Sequence, residues 1–301
     1  FLHLVKCDIN YKFMIPDKKL HFHHLLKENK DIKPVLWKKG LFEETQTESQ
    51  MLSFLKSRKF NVPNILFHDS EKIIMDFIPG VTVFSALQYF YRNNQSDKIE
   101  ILIECLCEGV VDFQSNTSTL ANEIVELYPV RIKLEEVFQL LLLEKLDLKT
   151  QKTLIDMISN IYNQKSSVLF RDATPKNYIL NGVYEKDLEY ISTEELISKI
   201  TWIDFSTTRY LAPPADDFAS VIFHYMVEDK FRDKMLSKYN NGFDKDSLNV
   251  TIFVRWARFW VRRFYYETYN TERFGKRYTT ENMNFYKTFF HRYLQIMCKV
   301  L

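Results

Sequence analysis

Val168 to Asn177 reads VLFRDATPKN, and Ile200 to Ser206 reads ITWIDFS. Each is a short apolar run that ends on polar groups. The first delivers Asp172 and, four intervening residues later, Asn177; the second delivers Asp204 and then Phe205. Phosphoryl transfer asks little covalent chemistry of a protein. It needs a carboxylate to orient a hydroxyl and accept its proton, and hard oxygen ligands to hold magnesium against nucleotide phosphates. In that chemistry Asp172 is the base, and Asn177 and Asp204 are the metal ligands.

The pattern is the D-x-x-x-x-N plus D-F-G logic of kinases, with Ser206 where glycine is usual. Either piece alone arises by chance in many chains of 301 residues; order, and the apolar run before each, give the pair its weight. With their flanks, VLFRDATPKNYIL and WIDFS resemble the catalytic and metal-binding segments of the aminoglycoside phosphotransferase and choline kinase superfamily. Those kinase-like enzymes act mostly on small molecules. The family form is roughly H-G-D-x-x-P-x-N: Asp172, Pro175 and Asn177 match it, while Phe170 and Arg171 replace the His and Gly.

The resemblance implies an α+β, two-lobed, protein-kinase-like fold. A small antiparallel N-lobe sheet with one helix would occupy residues 1–80, and a larger, mainly helical C-lobe residues 81–301. It also implies ATP and Mg2+ as cofactors. Lys38, in Val-Leu-Trp-Lys, becomes the strand lysine that reaches the α- and β-phosphates. Period-two alternation puts Leu36 and Lys38 on one face, and a one-residue shift would select Lys39 instead. Thr45 to Arg58 reads as a helix. There Glu48 takes the place of the family's lysine-pairing glutamate, or is simply a first-turn acid favoured by the helix dipole. Lys72 to Gly80, KIIMDFIPG, resembles the strand and hinge of the family, so backbone groups at Asp76, Phe77 and Ile78 would meet the adenine edge. Asp217-Phe218-Ala219 matches its D-L-A motif, with Asp216 as the adjacent alternative; both are also plausible N-caps.

Helical periodicity runs from Thr82 to Gln164. Between Asn177 and Asp204 lie 26 residues, enough for strands at 178–183 and 199–203 around an acidic, short helical insertion. His21, His23 and His24 cluster without a third metal ligand at a recognisable spacing, so a structural or surface role is expected.

At 46% hydrophobic and net charge +2, the chain can bury one large or two modest cores and has no field that would argue for nucleic acid. Four cysteines without a C-x-x-C pair read as reduced thiols of a cytoplasmic protein. No apolar run approaches the roughly 18 residues of a membrane span, and no signal peptide is read. The chain opens at Phe1 rather than Met, so upstream residues are expected. From Val250 to Leu301 ten Lys and Arg face three Glu. The helix expected over VRWARFWVRRFYYETY would hold its apolar side inward and its arginines in solvent, or recognise an anionic group.

Expectations therefore centre on an ATP-dependent kinase acting on a hydroxyl of a small molecule, which could itself be anionic. The basic tail is opposite in sign to the carboxylate-lined cleft of the family's resistance enzymes and disfavours an aminoglycoside. Rival readings are a protein kinase or lipopolysaccharide-sugar kinase, a nucleotide-binding pseudokinase, and an adaptor for RNA or membranes. No A-P-E motif follows Asp204, which counts against a protein acceptor; no glycine precedes Gly40, which favours weak turnover.

Overall fold

The computed structural model describes residues 35–127, 130–132, 134–163, 168–208, 210–222, 233, 237, 245–269 and 280–300. The His21, His23 and His24 cluster and the strands expected before residue 35 lie outside them. The described chain is α+β and divides into two compact units: residues 35–106 with 171–208, and 107–170 with 210–300.

In the first unit, β1 (Val35–Lys39), β2 (Ile65–His68) and β3 (Lys72–Asp76) form an antiparallel sheet of order β1-β3-β2. The β2–β3 hairpin closes on Asp69, whose Oδ1 accepts from the Glu71 and Lys72 amides, both at 2.9 Å. Alternation in β3 buries Ile73 and Met75 against α1 (Phe42–Ser57), which contributes Met51, Leu52 and Leu55. A second antiparallel sheet joins β4 (Gly80–Thr82), β7 (Tyr178–Asn181) and β8 (Ile200–Trp202) in the order β4-β7-β8.

Gly80 has φ +135°, and a Cβ there would be driven into the Leu180 carbonyl oxygen, so this edge admits only glycine. Thr82 caps α2 (Val83–Arg92), accepting from Ser85 N at 3.1 Å. Between β7 and β8 the acidic insertion forms a 3-10 turn at Glu185–Asp187 and then α6 (Thr193–Ser198). It is less solvated than its charge suggests, because Leu188, Ile191 and Leu196 are buried.

α3 (Ser96–Leu127) runs through both units and carries Cys105 and Cys107 as free thiols. The second unit adds β5 (Val130–Arg131), α4 (Glu135–Leu143), α5 (Leu148–Tyr162), β6 (Val168–Phe170), β9 (Tyr210–Ala212), α7 (Pro214–Ile222), α8 (Lys245–Tyr269) and α9 (Thr280–Val300). Val130 and Arg131, where helical periodicity predicted a helix, pair instead with β9 in a small mixed sheet of order β5-β9-β6. α8 packs on α9 through Phe253 against Phe290 and Trp256 stacked on Phe289, with ring centroids 5.4 and 5.0 Å apart. Among the described residues no helix is long and apolar enough to cross a membrane.

Candidate active site

All the residues singled out for chemistry fall in the first unit. β1 pairs with β3 in a register that sets Lys38 opposite Ile73. Lys38 Nζ lies 2.7 Å from Glu48 Oε2 on α1 and 2.7 Å from Asp204 Oδ1 beyond β8. Glu48 is only 2% exposed, whereas Asp204 keeps 43% of its side chain open to solvent. The Phe205 amide donates to Glu48 Oε1 at 3.4 Å, and Ser206 Oγ donates to Asp204 Oδ1 at 2.8 Å. Lys39 points elsewhere and meets the exposed Glu71 at 3.8 Å.

The electrostatics of this triad follow from burial opposed by charge. Burial would lower the Lys38 pKa, but Glu48 and Asp204 together outweigh it and hold the ammonium above the ordinary lysine range. Burial pushes Glu48 upward, with Lys38 opposing. Asp204 feels burial too, yet Lys38 and the hydroxyl of Ser206 keep its carboxyl below the usual range. Asp204 is therefore held as an anion beside solvent.

Asp172 follows β6 and opens a tight loop: its carbonyl accepts from Thr174 N at 2.7 Å, and the Thr174 carbonyl accepts from Asn177 N at 2.8 Å. Pro175 begins the 3-10 turn Pro175–Asn177, where its fixed φ costs nothing. Asn177 Nδ2 donates to the Asp172 carbonyl at 2.8 Å. That bond fixes which end of the amide is nitrogen and makes Oδ1 the oxygen a hard cation could take. The Asn177 carbonyl in turn accepts from Ile203 N at 3.0 Å, tying this loop to the strand that leads to Asp204. Asp172 and Asp204 both adopt left-handed backbone, at φ +56° and +60°. Such non-glycine residues cost about 1–3 kcal/mol each and concentrate where a side chain must be aimed.

Among the described residues no group of three or more His, Cys, Asp or Glu could hold a metal. One carboxylate and one amide oxygen nevertheless suit magnesium, which commonly takes one or two protein oxygens and completes its shell with phosphate and water.

At the hinge expected at residues 76–78, the Asp76 amide donates to the Asn64 carbonyl at 3.0 Å, and its carboxylate accepts from Asn64 Nδ2. Phe77 and Ile78 lie in the loop before β4, and Phe77 is 45% exposed.

Asp216 and Asp217 sit in the other unit. α7 starts at Pro214, so both lie inside its first turn rather than at the N-cap, and both are buried. Asp216 accepts from Tyr162 Oη at 2.9 Å and pairs with Arg255 at 3.4 Å; Arg255 also donates to Ser220 Oγ. Arg255, expected in solvent, is thus withdrawn into the fold.

Sequence reading treated Arg171 as a replacement for the family's glycine and, with Asp172, as similar to the H-R-D of protein kinases, without giving its side chain a role. It is one of the largest buried side chains, 1% exposed, with its guanidinium carbon 4.5, 4.4 and 4.8 Å from the ring centroids of Tyr178, Trp202 and Phe205. Three aromatics at 178, 202 and 205, each close in sequence to a candidate site residue, were the available signal.

No family model matches the chain, and no curated protein matches it. Among solved structures it is similar to choline kinase LicA from Streptococcus pneumoniae, with 11% sequence identity over 89% of this chain and 86% of that one and a TM-score of 0.48. It is also similar to LicA in complex with AMP, with 10% identity over 87% and 84% of the two chains and a TM-score of 0.45. The likeness assigns no role to any residue.

Proposed function

We propose that the protein is an ATP- and Mg2+-dependent phosphotransferase that moves the γ-phosphoryl group to a hydroxyl of a small molecule of sugar or amino-alcohol type. The observation that carries this reading is the Lys38 ammonium bridging the buried Glu48 and the solvent-facing Asp204. The Asp172–Asn177 loop, bonded to the strand before Asp204, adds to it.

In the reaction, the acceptor oxygen attacks the γ-phosphorus and the bond from that phosphorus to the bridging oxygen breaks. ADP leaves with the electron pair, and the hydroxyl proton passes to the Asp172 carboxylate. Lys38, steadied by Glu48, gives up Asp204 for the α- and β-phosphate oxygens. Asn177 Oδ1 and the Asp204 carboxylate are the oxygens suited to hold Mg2+, which when bound neutralises phosphate charge. Backbone groups from Asp76 to Ile78 would meet the adenine edge, with the Asp76 amide itself committed to Asn64. A weakly active nucleotide binder is the second reading, favoured by Phe170 and Ser206 standing where the family has His and Gly.

The test is calorimetric ATP binding with and without Mg2+, paired with slow release of phosphate. Wild type is expected to bind more tightly with metal and to turn over. Asp204→Asn should abolish the metal dependence, while Asp172→Asn should keep binding and lose turnover by about 10²–10⁴-fold, the usual contribution of a general base. Binding without release in the presence of candidate acceptors selects the second reading; no binding at all rejects both.

A further inference from the structure

Arg171 has no role in the chemistry above, yet its side chain meets the segments that carry the base and the two metal ligands. Tyr178 follows Asn177; Trp202 ends β8, two residues before Asp204; Phe205 follows Asp204; and Arg171 itself precedes Asp172. The guanidinium carbon lies within 4.8 Å of all three ring centroids, and NH1 donates to the Tyr178 hydroxyl. Tyr178 and Trp202 also meet each other edge to face at 5.8 Å, and Phe60 closes on Trp202 at 5.1 Å. At the backbone, Thr207 Oγ1 donates to the Arg171 carbonyl at 2.9 Å, so the chain just past Asp204 is fastened to the residue just before Asp172.

We infer that Arg171 is a positioning residue: a buried guanidinium that holds the base Asp172 and the metal-ligand pair Asn177 and Asp204 in one fixed arrangement. The proposal rests on the phosphotransferase reading and deepens it. A planar, delocalised cation can lie against several rings and still direct a hydrogen bond in its plane. The compact ammonium of lysine cannot do both. The two aspartates sit in left-handed backbone, which holds only where neighbouring contacts over-determine it. Arg171 supplies such contacts to both loops at once. Loss of the guanidinium should therefore leave a folded protein whose two metal ligands no longer converge.

The experiment uses the full chain and Mn2+ with ATP. Affinity for ATP is measured by calorimetry without metal and with Mn2+, and the bound ion is observed by electron paramagnetic resonance, for wild type, Arg171→Lys and Arg171→Met. Wild type is expected to gain at least tenfold in ATP affinity from Mn2+. In both variants that gain should fall to about twofold or less while metal-free affinity stays within threefold. A merely structural role would instead reduce both affinities in parallel with the folded fraction seen by circular dichroism, and that result overturns the proposal. A full metal gain in folded Arg171→Lys or Arg171→Met overturns it as well.

Should both Arg171 variants fail to fold, Tyr178→Phe carries the test, since it removes the NH1 acceptor and leaves all three rings. A metal gain reduced about threefold supports the proposal, and an unchanged gain rejects it. Absence of ATP binding by wild type rejects the phosphotransferase reading and this inference together. That outcome is distinct from variant behaviour measured against a binding wild type.

Discussion

At the scale of single residues, the choice between Lys38 and Lys39 was open in the sequence, because alternation fixes which residues share a face and not which face meets the helix. The register of β1 on β3 and the reach of Glu48 bring Lys38 to 2.7 Å from two carboxylates, whereas Lys39 forms a surface pair at 3.8 Å. Exposed pairs of that kind contribute little. Lys38→Met is therefore expected to weaken Mg2+-dependent ATP binding more than tenfold, and Lys39→Met to leave it within twofold, as titration calorimetry would show. Equal losses would mean that the strand presents the other face to nucleotide. Asp172, Asn177 and Asp204 could be picked out because residue type and short spacing carried the signal. Ser206 read as a defect in a motif, and only the 2.8 Å bond to Asp204 reveals what its hydroxyl does. The inward turn of Arg171 was hidden for a related reason: its three rings are spread over 28 residues, and nothing local tells a buried arginine from a solvated one.

At the scale of elements, the helices were legible where apolar periodicity ran long, as in α2, α3 and α5. Among the three-residue strands, β8 falls inside the strand expected at 199–203, but β4 was not legible. β4 was hidden behind the segment read as strand and hinge, because the partner that makes it a strand, β7, lies about a hundred residues away. That pairing is what makes Gly80 demanding. Its φ of +135° excludes other residues, and the Leu180 carbonyl occupies the space a methyl group would need. Gly80→Ala should cost about 3 kcal/mol or more, combining a forbidden backbone with a collision against main chain. Urea unfolding would show it as a lower midpoint with an unchanged slope. A loss below 1 kcal/mol would mean that the β4–β7 edge relaxes freely.

At the scale of the whole molecule, the chain passes from the first unit to the second, returns to the first and then re-enters the second, so neither core can be read from a continuous stretch. Net charge and the basic tail suggested solvated arginines; burial of Arg255 among Tyr162, Asp216 and Ser220 depends on three helices meeting, which charge counts cannot report. This network makes stability depend on alkaline pH. Burial, then the neighbouring Asp216 carboxylate and the bond to it, push the Tyr162 hydroxyl well above its ordinary value near 10.0. A group raised on folding contributes stability that is complete below its unfolded pKa and fades as pH climbs past it. Tyr162→Phe should thus be about 1 kcal/mol less stable at neutral pH, for the lost hydrogen bond. Between pH 10 and 11 wild type should lose its advantage, visible in urea midpoints measured across that range. A parallel pH dependence in the two proteins would exclude Tyr162 as the titrating group.

The left-handed backbone at Asp172 also bears on how this protein could change over generations. Glycine adopts that conformation without penalty, so a substitution there relieves the main chain while deleting the carboxylate proposed as the base. Variation that rewards only heat resistance or yield would drift toward such a relaxed, chemically silent descendant. An aspartate kept at position 172 in a lineage would itself be a record that turnover was under selection.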